Sequence, residues 1–305
     1  MGDHHPPHTH GHGAVSYNRA FLFGIALNIG FVVVEAYFGW KSNSLALLAD
    51  AGHNLSDVLG LVLAWGGMWM ARRQPNDQHT YGWQRASILA ALVNALILLV
   101  AMGSMAWEAV NRLSVPSPIE GQTVMLVAAV GVLINGVTAW LFMSGGRNDL
   151  NIRGAYLHMA ADALVSLAVV AGGAVYLWSG WLWLDPVLSL LIAVLIVFGT
   201  WSLFSQSLHL AFDGVPAGVD LAQVRDCLAG FKGVREVHDL HVWAMSTSES
   251  AMTVHLVMPD GHPGDAFLIK VSHVLHDRFD IEHVTIQIEI GDTGLPCPLA
   301  THITQ

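Results

Sequence analysis

Long apolar runs occupy the first two thirds of the chain and alternate with short polar connections. A helix that crosses a bilayer core requires about 20 predominantly apolar residues, and six runs reach this length. They lie near residues 20–40, 44–70, 86–107, 121–144, 155–178 and 186–208. The pattern predicts a polytopic α-helical membrane protein with six transmembrane helices.

The pattern changes to that of a soluble domain at about Asp213. Hydrophobic positions recur at helical spacing in two segments and alternate in three others. The helical segments are 219–231 and 264–279, and the alternating segments are 237–244, 251–258 and 283–290. The order αββαβ predicts a small ferredoxin-like α+β sheet with its helices on one face.

These patterns divide the chain into four parts. A tail, 1–15, precedes a membrane domain, 16–212, and an α+β domain, 213–292, precedes a second tail, 293–305. The first tail holds five histidines among Gly and Pro, namely His4, His5, His8, His10 and His12. This composition predicts a disordered cytosolic segment that either captures metal loosely or only solvates the chain.

The composition agrees with a membrane protein that has no nucleic-acid partner. Hydrophobic residues make up 53% of the chain and charged residues 12%, with a mean hydropathy of +0.51, whereas soluble domains carry roughly a quarter charged residues. The net charge of −10 and the lack of a Lys/Arg run in the sequence argue against nucleic-acid binding. Cys227 and Cys297 form neither a disulfide framework nor a Cys-x-x-Cys metal motif.

Basic residues beside the apolar runs predict the orientation in the membrane. Six arginines lie on the side shared by the N-terminus and the second-to-third and fourth-to-fifth connections, namely Arg19, Arg72, Arg73, Arg85, Arg147 and Arg153. Lys41 and Arg112 flank the other side. The positive-inside rule therefore places both termini in the cytoplasm. Short loops and the lack of a signal-peptide pattern favour a bacterial inner membrane.

Ionisable residues within the second and fifth runs are the first functional signal, because such groups are costly at membrane depth. Asp50, His53 and Asp57 are spaced i, i+3, i+7 and share one helix face. His158 and Asp162 repeat the His-x-x-x-Asp spacing about a hundred residues later. Two helices that meet along these faces would offer two imidazoles and two carboxylates to one metal ion.

Zinc is the metal that this ligand set suits best. Zn²⁺ accepts tetrahedral nitrogen and oxygen ligands, whereas Mg²⁺ and Ca²⁺ prefer shells made only of oxygen. Two carboxylates also cancel the charge of a dication inside the bilayer. Affinity order alone leaves Co²⁺, Cd²⁺, Fe²⁺ and Ni²⁺ open as substrates.

Four polar residues within the apolar runs are further candidates for a path or a supporting role: Asn28, Glu35, Asp50 and Asn135. The two asparagines either line a hydrophilic path or form hydrogen bonds between helices. Glu35 is a candidate path-lining residue. Asp50 either accepts a hydrogen bond from a ligand imidazole and fixes its tautomer, or takes part in a proton route.

Several segments of the sequence resemble the cation diffusion facilitator family, in particular its zinc-transporting branch. They are the paired His-x-x-x-Asp helices with the leader Ser-Asn-Ser-Leu-Ala-Leu-Leu-Ala-Asp-Ala-Gly-His, and the phrases Val-His-Asp-Leu-His-Val-Trp and His-Val-Thr-Ile-Gln-Ile-Glu. The resemblance covers about residues 15 to 292. It implies a homodimer that exports Zn²⁺ in exchange for protons, with His53, Asp57, His158 and Asp162 as the transport site.

The resemblance also implies zinc binding in the cytosolic domain. His238 and His255 from adjacent strands and Glu289 from the third strand are the implied ligands, with Asp265 and His283 as further candidates. Because His241 lies three residues after His238, regular alternation would turn the two histidines to opposite faces of the strand.

A loop zinc site known in some bacterial members is only partly represented in this chain. Asp77 and His79 are present, but Trp83 stands where the second histidine would be. The sequence therefore gives this loop an incomplete set of metal ligands.

Two other classes of function remain to be weighed. An intramembrane zinc enzyme would need an open metal position and a general base, as in His-Glu-x-x-His, and the sequence lacks that motif. A membrane metal sensor would explain the histidine-rich cytosolic domain. It would not require ionisable groups at membrane depth, so proton-coupled zinc export is the favoured function.

Overall fold

The computed structural model describes residues 18–71, 73–143 and 150–291. The predictions for the histidine-rich tail, for the C-terminal tail with Cys297, and for Arg72 and Arg147 fall outside the described residues, as do the side chains of Arg19 and Arg153. The described chain forms two compact units. One comprises residues up to 58 with 101–196, and the other comprises 59–100 with the residues from 197 onwards.

Each predicted apolar run forms one long helix. The bounds are α1 Asn18–Lys41, α2 Leu45–Ala71, α3 Ala86–Ser114, α4 Gly121–Met143, α5 Leu150–Ser179 and α6 Leu184–Ala211. The helices α3, α5 and α6 extend beyond the predicted limits, because polar residues at their ends continue the helix after the apolar run stops. The predicted helical content is thus confirmed, with boundary differences of a few residues.

Among the described residues, four helices are long and apolar enough to cross a membrane: Ala86–Ser114, Gly121–Trp140, Tyr156–Ser179 and Leu184–Ala211. The most apolar stretch of each is only 22–28% buried. Large apolar side chains such as Val100 and Phe198 are exposed. Apolar surface of this extent suits contact with lipid rather than with water.

The N-terminus of α2 is capped by a carboxylate from another helix. Asp185, in the first turn of α6, accepts hydrogen bonds from the Ser44 hydroxyl and from the amides of Leu45 (2.9 Å) and Ala46 (3.3 Å). These amides have no partner within α2, and the helix dipole favours a negative charge at this end. Asp185 and Ser44 are both buried, so this cap fixes α2 against α6.

Two further buried hydrogen bonds fix α2 against its other neighbours. The Asn54 amide donates to Oε2 of Glu35 in α1 at 3.1 Å. The Ser166 hydroxyl of α5 donates to Oδ2 of Asp50 at 2.8 Å. Hydrogen bonds between buried polar groups of neighbouring helices stabilise their contact in an apolar medium.

Glycine permits α4 and α5 to pack closely. A Cβ atom at Gly173 would lie 3.2 Å from Met125 Cβ and 3.4 Å from the Gly121 carbonyl oxygen. At Gly131 it would lie 2.8 Å from the Phe31 ring and 3.1 Å from Ser166 Oγ. These small residues therefore set the separation of the helices that carry the polar groups.

The cytosolic α+β prediction is confirmed in its element order. The elements are α7 Leu221–Ala229, β1 Glu236–Ala244, β2 Ser250–Val257, α8 Asp265–Phe279 and β3 His283–Glu289. The strands are arranged in the order β1-β2-β3, with β1 antiparallel and β3 parallel to β2. Residues of α7 and α8, such as Leu228 and Leu275, pack against Val242, Met252 and other core residues of the sheet.

A β-bulge in β1 overturns one expectation. His238 pairs with His255 and His241 pairs with Thr253, so three steps on β1 match two steps on β2. The extra residue, Asp239, has a φ of 50°, which lies in the left-handed region. Because a bulge reverses the alternation beyond it, His241 shares the face of His238, and the expectation of opposite faces is wrong.

The connection between α2 and α3 contacts the α+β domain within the second unit. Arg85 forms an ion pair with Asp213, and the Thr247 amide donates to the Ser87 hydroxyl at 3.1 Å. The ring of Tyr81 also packs edge-on against His283. These contacts hold the loop against the domain on its C-terminal side.

Replacing Asp185 with Asn tests the cap of α2. Asn offers one acceptor oxygen instead of two, so one donor of α2 loses its partner, and we expect a loss of about 1–2 kcal/mol of stability. The midpoint of thermal unfolding in detergent should fall. Glu120→Gln, at an exposed position before α4, is the control and should change stability by less than about 0.5 kcal/mol. An unchanged midpoint for Asp185→Asn would show that the cap is not stabilising.

Candidate metal centres

The four ionisable residues of α2 and α5 converge on one point. His53 and Asp57 are one turn apart on α2, as are His158 and Asp162 on α5. One potential ligand atom from each of the four lies within 4.8 Å of the others. The expectation that two His-x-x-x-Asp faces meet is therefore matched by the geometry.

Each imidazole of this centre faces both carboxylates. His53 Nε2 lies 3.2 Å from Asp162 Oδ1 and 3.9 Å from Asp57 Oδ2. His158 Nε2 lies 3.2 Å from Asp57 Oδ2 and 3.7 Å from Asp162 Oδ2. Ligands held about 2.0–2.1 Å from Zn²⁺ in a tetrahedron are about 3.3 Å apart. The four atoms thus need only small movements to surround one ion.

Protons can take the place of a metal in the same arrangement. An N–H of each imidazole can donate to a facing carboxylate, so hydrogen bonds can hold the same four groups together. Metal binding requires deprotonated imidazole nitrogens. The centre can therefore exchange a metal ion for protons with little rearrangement of its ligands.

Exposure across the centre is uneven. The side chain of Asp162 is 2% exposed, whereas those of Asp57 and His158 are 33% and 42% exposed. His53 lies between these values, and its Nδ1 atom is buried with no hydrogen-bond partner among the described residues. The centre is therefore open on the side of Asp57 and His158 and closed on the side of Asp162.

The other predicted membrane residues lie close to this centre but have different partners. Asp50 accepts from Ser166, and Glu35 accepts from Asn54, so the hydrogen-bond partner of Asp50 is Ser166 rather than the His53 ring. Asn135 is buried with its Nδ2 atom unpaired among the described residues, and Asn28 is half-buried. The contacts of Glu35 and Asp50 join helices, as expected for polar residues in an apolar bundle.

A second centre lies on the face of the β1-β2-β3 sheet away from its helices. His238 Nε2 lies 3.2 Å from Glu289 Oε2, and His255 Nδ1 lies 3.0 Å from Glu289 Oε1. The two rings meet edge to face at 5.3 Å. One residue from each strand thus contributes to a cluster whose potential ligand atoms lie within 4.8 Å of one another.

The bulge adds a carboxylate that the sequence pattern did not indicate. Asp239 Oδ2 lies 3.5 Å from His255 Nε2, and its Oδ1 lies 3.1 Å from His241 Nε2. Asp239 therefore links His241 to the edge of the second centre. A regular strand pattern would have turned Asp239 toward the core.

The remaining predicted ligands are not brought to these centres. His283 begins β3, six residues from Glu289, and at about 3.3 Å per residue it lies about 20 Å away along the strand. Asp265 begins α8 and belongs to no potential metal-ligand group among the described residues. A third group consists of His276, Asp280 and Glu282, which are all exposed.

The α2–α3 loop does not assemble a metal-ligand group in the described chain. Asp77 and His79 lie in a turn, and neither belongs to the groups that could hold an ion. The His79 ring stacks on Trp83 at 4.1 Å. The aromatic residue that replaces the second histidine therefore packs against the first.

Two family models match most of the chain. The cation efflux transmembrane domain matches residues 21–210, and the cytoplasmic domain of cation efflux proteins matches residues 216–290. The second match agrees with the α+β domain described above.

Curated relatives match nearly the whole chain. The zinc transporter ZitB of Escherichia coli K12 is 38% identical over 94% of this chain and 92% of its own. The metal cation efflux system protein CzcD of Cupriavidus metallidurans is 36% identical over 96% and 92%. A cadmium, cobalt and zinc/H⁺–K⁺ antiporter of Bacillus subtilis is 33% identical over 92% and 91%.

One solved structure also matches a part of the chain. The metal-bound C-terminal domain of the CzcD transporter is 42% identical in sequence and covers 23% of this chain and 99% of its own, with a TM-score of 0.22.

Replacing Asp162 with Asn tests the membrane centre. The change removes a buried charge that faces both imidazoles, so we expect a loss of about 3 kcal/mol or more of binding free energy for Zn²⁺, or more than about 100-fold in Kd. Calorimetric titration of the purified protein measures the affinity. His273→Ala, on the exposed face of α8, should leave it unchanged. Equal affinities for the intact protein and Asp162→Asn would place metal binding elsewhere.

Proposed function

The chain belongs to the cation efflux family, and on this premise we propose that it exports Zn²⁺ from the cytosol in exchange for protons, by alternating access to the centre of His53, Asp57, His158 and Asp162. The protein is a metal-cation efflux transporter and not an enzyme. The observation that carries the proposed transport site is the convergence of four potential ligand atoms, in matched pairs from two helices, within 4.8 Å.

The ligand chemistry supports zinc as the substrate. Two imidazoles and two carboxylates form a tetrahedral set that neutralises a dication, and a transport site must do both within an apolar bundle. The Escherichia coli relative is named as a zinc transporter. The Bacillus subtilis relative is named for cadmium and cobalt as well, so Cd²⁺ and Co²⁺ are the alternative substrates.

Proton exchange follows from the imidazoles. Histidine has an unperturbed pKa of about 6.5, so modest pH differences decide between a metal-bound and a protonated ring. In the proposed cycle His53 and His158 release protons when Zn²⁺ binds from the cytosol. After the helices reorient, protons from the far side displace the metal. Inward movement of each proton charge supplies about 2.3 kcal/mol per 100 mV of membrane potential.

We further propose that all six long helices span the membrane, with both termini in the cytoplasm. At 1.5 Å per residue, α1 and α2 are about 36 Å and about 40 Å long, which exceeds the hydrocarbon thickness of about 30 Å. Their ionisable groups Glu35 and Asp50 are fully buried, so these groups do not contact lipid. The proposed location is a bacterial inner membrane and the proposed assembly is a homodimer, which the match of residues 216–290 supports.

The cytosolic centre is proposed to hold a second zinc ion with a structural or regulatory role. His238, His255 and Glu289 supply two nitrogens and a carboxylate from three strands, and this donor set fits Zn²⁺. A bound ion would join the three strands by metal–ligand bonds. Asp239 is positioned to orient His255 through its other ring nitrogen, as acceptors beside metal ligands do.

Zinc flux into proteoliposomes under an imposed pH gradient tests the transport proposal. The intact protein should accumulate zinc against its gradient, whereas Asp57→Ala and Asp162→Ala should lose the flux because each removes a ligand and a compensating charge. Asp260→Ala, an exposed carboxylate in a turn, should transport like the intact protein. Flux that ignores the pH gradient would exclude proton exchange, and full flux in both site variants would move the site.

Zinc content separates the cytosolic centre from the transport site. After equilibrium dialysis the full-length protein should retain about two zinc ions per chain, one for each proposed site. His255→Ala should retain about one and should still bind zinc at the membrane centre. His273→Ala should retain the same content as the intact protein. An unchanged content in His255→Ala would contradict a zinc ion on this sheet.

A further inference from the structure

Two carboxyl groups outside the four-residue centre face each other in the interior of the helical bundle. Glu35 of α1 and Asp50 of α2 each have 0% of their surface exposed, and Glu35 Oε2 lies 3.1 Å from the amide of Asn54, one helical turn beyond Asp50, so both side chains lie at the same contact between α1 and α2. Neither residue is a member of the transport centre proposed above. The pair therefore requires an explanation of its own.

Each group has one satisfied oxygen and one without a donor. Glu35 Oε2 accepts from Asn54, and Asp50 Oδ2 accepts from Ser166. Glu35 Oε1 and Asp50 Oδ1 are buried and have no hydrogen-bond donor among the described residues. No Lys or Arg of the described chain forms an ion pair with either residue. Two ionised carboxylates in such a place would repel each other without compensation.

A single proton satisfies both oxygens. If Glu35 is a carboxylic acid, its O–H donates to the Asp50 carboxylate, and neither oxygen is left without a partner. Asp50 is the acceptor because the Ser166 hydroxyl already donates to its Oδ2 at 2.8 Å, and because the His53 ring lies one turn further along the same face of α2. Glu35 has the Asn54 amide and Asp50 itself as its neighbouring polar groups.

The surrounding groups select a proton over a metal cation. Asn54 and Ser166 direct hydrogen atoms toward the pair, so they present the positive ends of their dipoles. An alkali or alkaline-earth cation needs a shell of about six oxygen lone pairs. Helix α4, which packs on α1, has no ionisable residue between Gly121 and Met143. The charged groups that act on Asp50 are Glu35, His53 and Asp162.

We propose that Glu35 and Asp50 hold one of the protons exchanged for metal, as a shared O–H···O bond that joins α1 to α2. This inference rests on the proton exchange proposed above and names a carrier for it besides the imidazoles. With the proton present, one hydrogen bond joins the helices. After its release to water, two like charges face each other across the same contact and drive α1 and α2 apart.

Metal binding has a direct route to this proton. Asp50 precedes His53 by three residues on α2 and shares its helix face, and it lies within electrostatic range of Asp162. A dication bound between His53 and Asp162 favours the ionised form of nearby carboxyl groups. Loading the centre with metal therefore promotes release of the proton and loosens the contact between α1 and α2, which is the coupling that exchange requires.

Infrared difference spectroscopy of the intact protein in lipid is the first test. We expect the carbonyl stretch of a protonated carboxyl group at neutral pH, its loss in Glu35→Gln, and its weakening when Zn²⁺ is added. Glu108→Gln, which removes a carboxylate paired with Arg112, should leave the band unchanged. Absence of the band, its persistence in Glu35→Gln, or its indifference to zinc overturns the proposal.

Counting protons per zinc in proteoliposomes is the second test. Glu35→Gln should move about one proton fewer per zinc than the intact protein and Glu108→Gln, because Gln keeps the hydrogen bonds of the acid form but cannot release a proton. An unchanged number of protons per zinc in Glu35→Gln overturns the proposal. The proposal is also overturned if replacing K⁺ with choline changes the infrared band or the zinc flux, because the pair would then hold a cation rather than a proton. If the intact protein shows no gradient-driven flux, the proposed function fails, while the infrared result still decides whether the pair holds a proton.

Discussion

The constraint on which the membrane part of the structure depends is that every polar group carried by α2 must find a partner inside an apolar bundle. Asp185 of α6, Glu35 of α1 and Ser166 of α5 meet this need at three points along the helix. In a bilayer these bonds have no competition from water, so they determine which helices are neighbours and at what rotation. These hydrogen bonds also determine the geometry of the candidate metal centre, because His53 and Asp57 lie on α2.

The charges of the four-residue centre are consistent with a site that binds a metal ion and also releases it. Two carboxylates between two imidazoles form a set that is electrically balanced by one dication or by two protons. A polar network that is balanced in either state avoids the large penalty of an isolated buried charge. In the proposed cycle the exchange of one balanced state for the other would therefore have a small free-energy cost.

Much of this architecture could be predicted from the sequence. The apolar runs predict six long helices because each run contains about 20 or more predominantly apolar residues. The paired His-x-x-x-Asp spacings predict the convergence of α2 and α5. The sequence gives no sign that Asp185 caps α2, because its partners lie about 140 residues earlier in the chain. Asn54 and Ser166 carried a signal as polar residues within apolar runs, but their partners are set by tertiary packing. The alternating pattern of β1 predicts the wrong face for His241, because such a pattern does not reveal a single-residue bulge. His283 was offered as a ligand on resemblance alone, and its position along β3 separates it from Glu289.

The uneven exposure of the membrane centre has a consequence for discrimination between ions. An ion that arrives beside His158 and Asp57 can keep part of its hydration shell, whereas the side of Asp162 leaves no room for water. Each ion must therefore surrender its last water molecules before it can engage all four ligands. Mg²⁺ is abundant in cells but releases its water reluctantly. A hydrated Mg²⁺ ion would therefore not reach all four ligands. In the proposed transport site the buried carboxylate would therefore select by the rate of water loss as well as by the preference for nitrogen ligands.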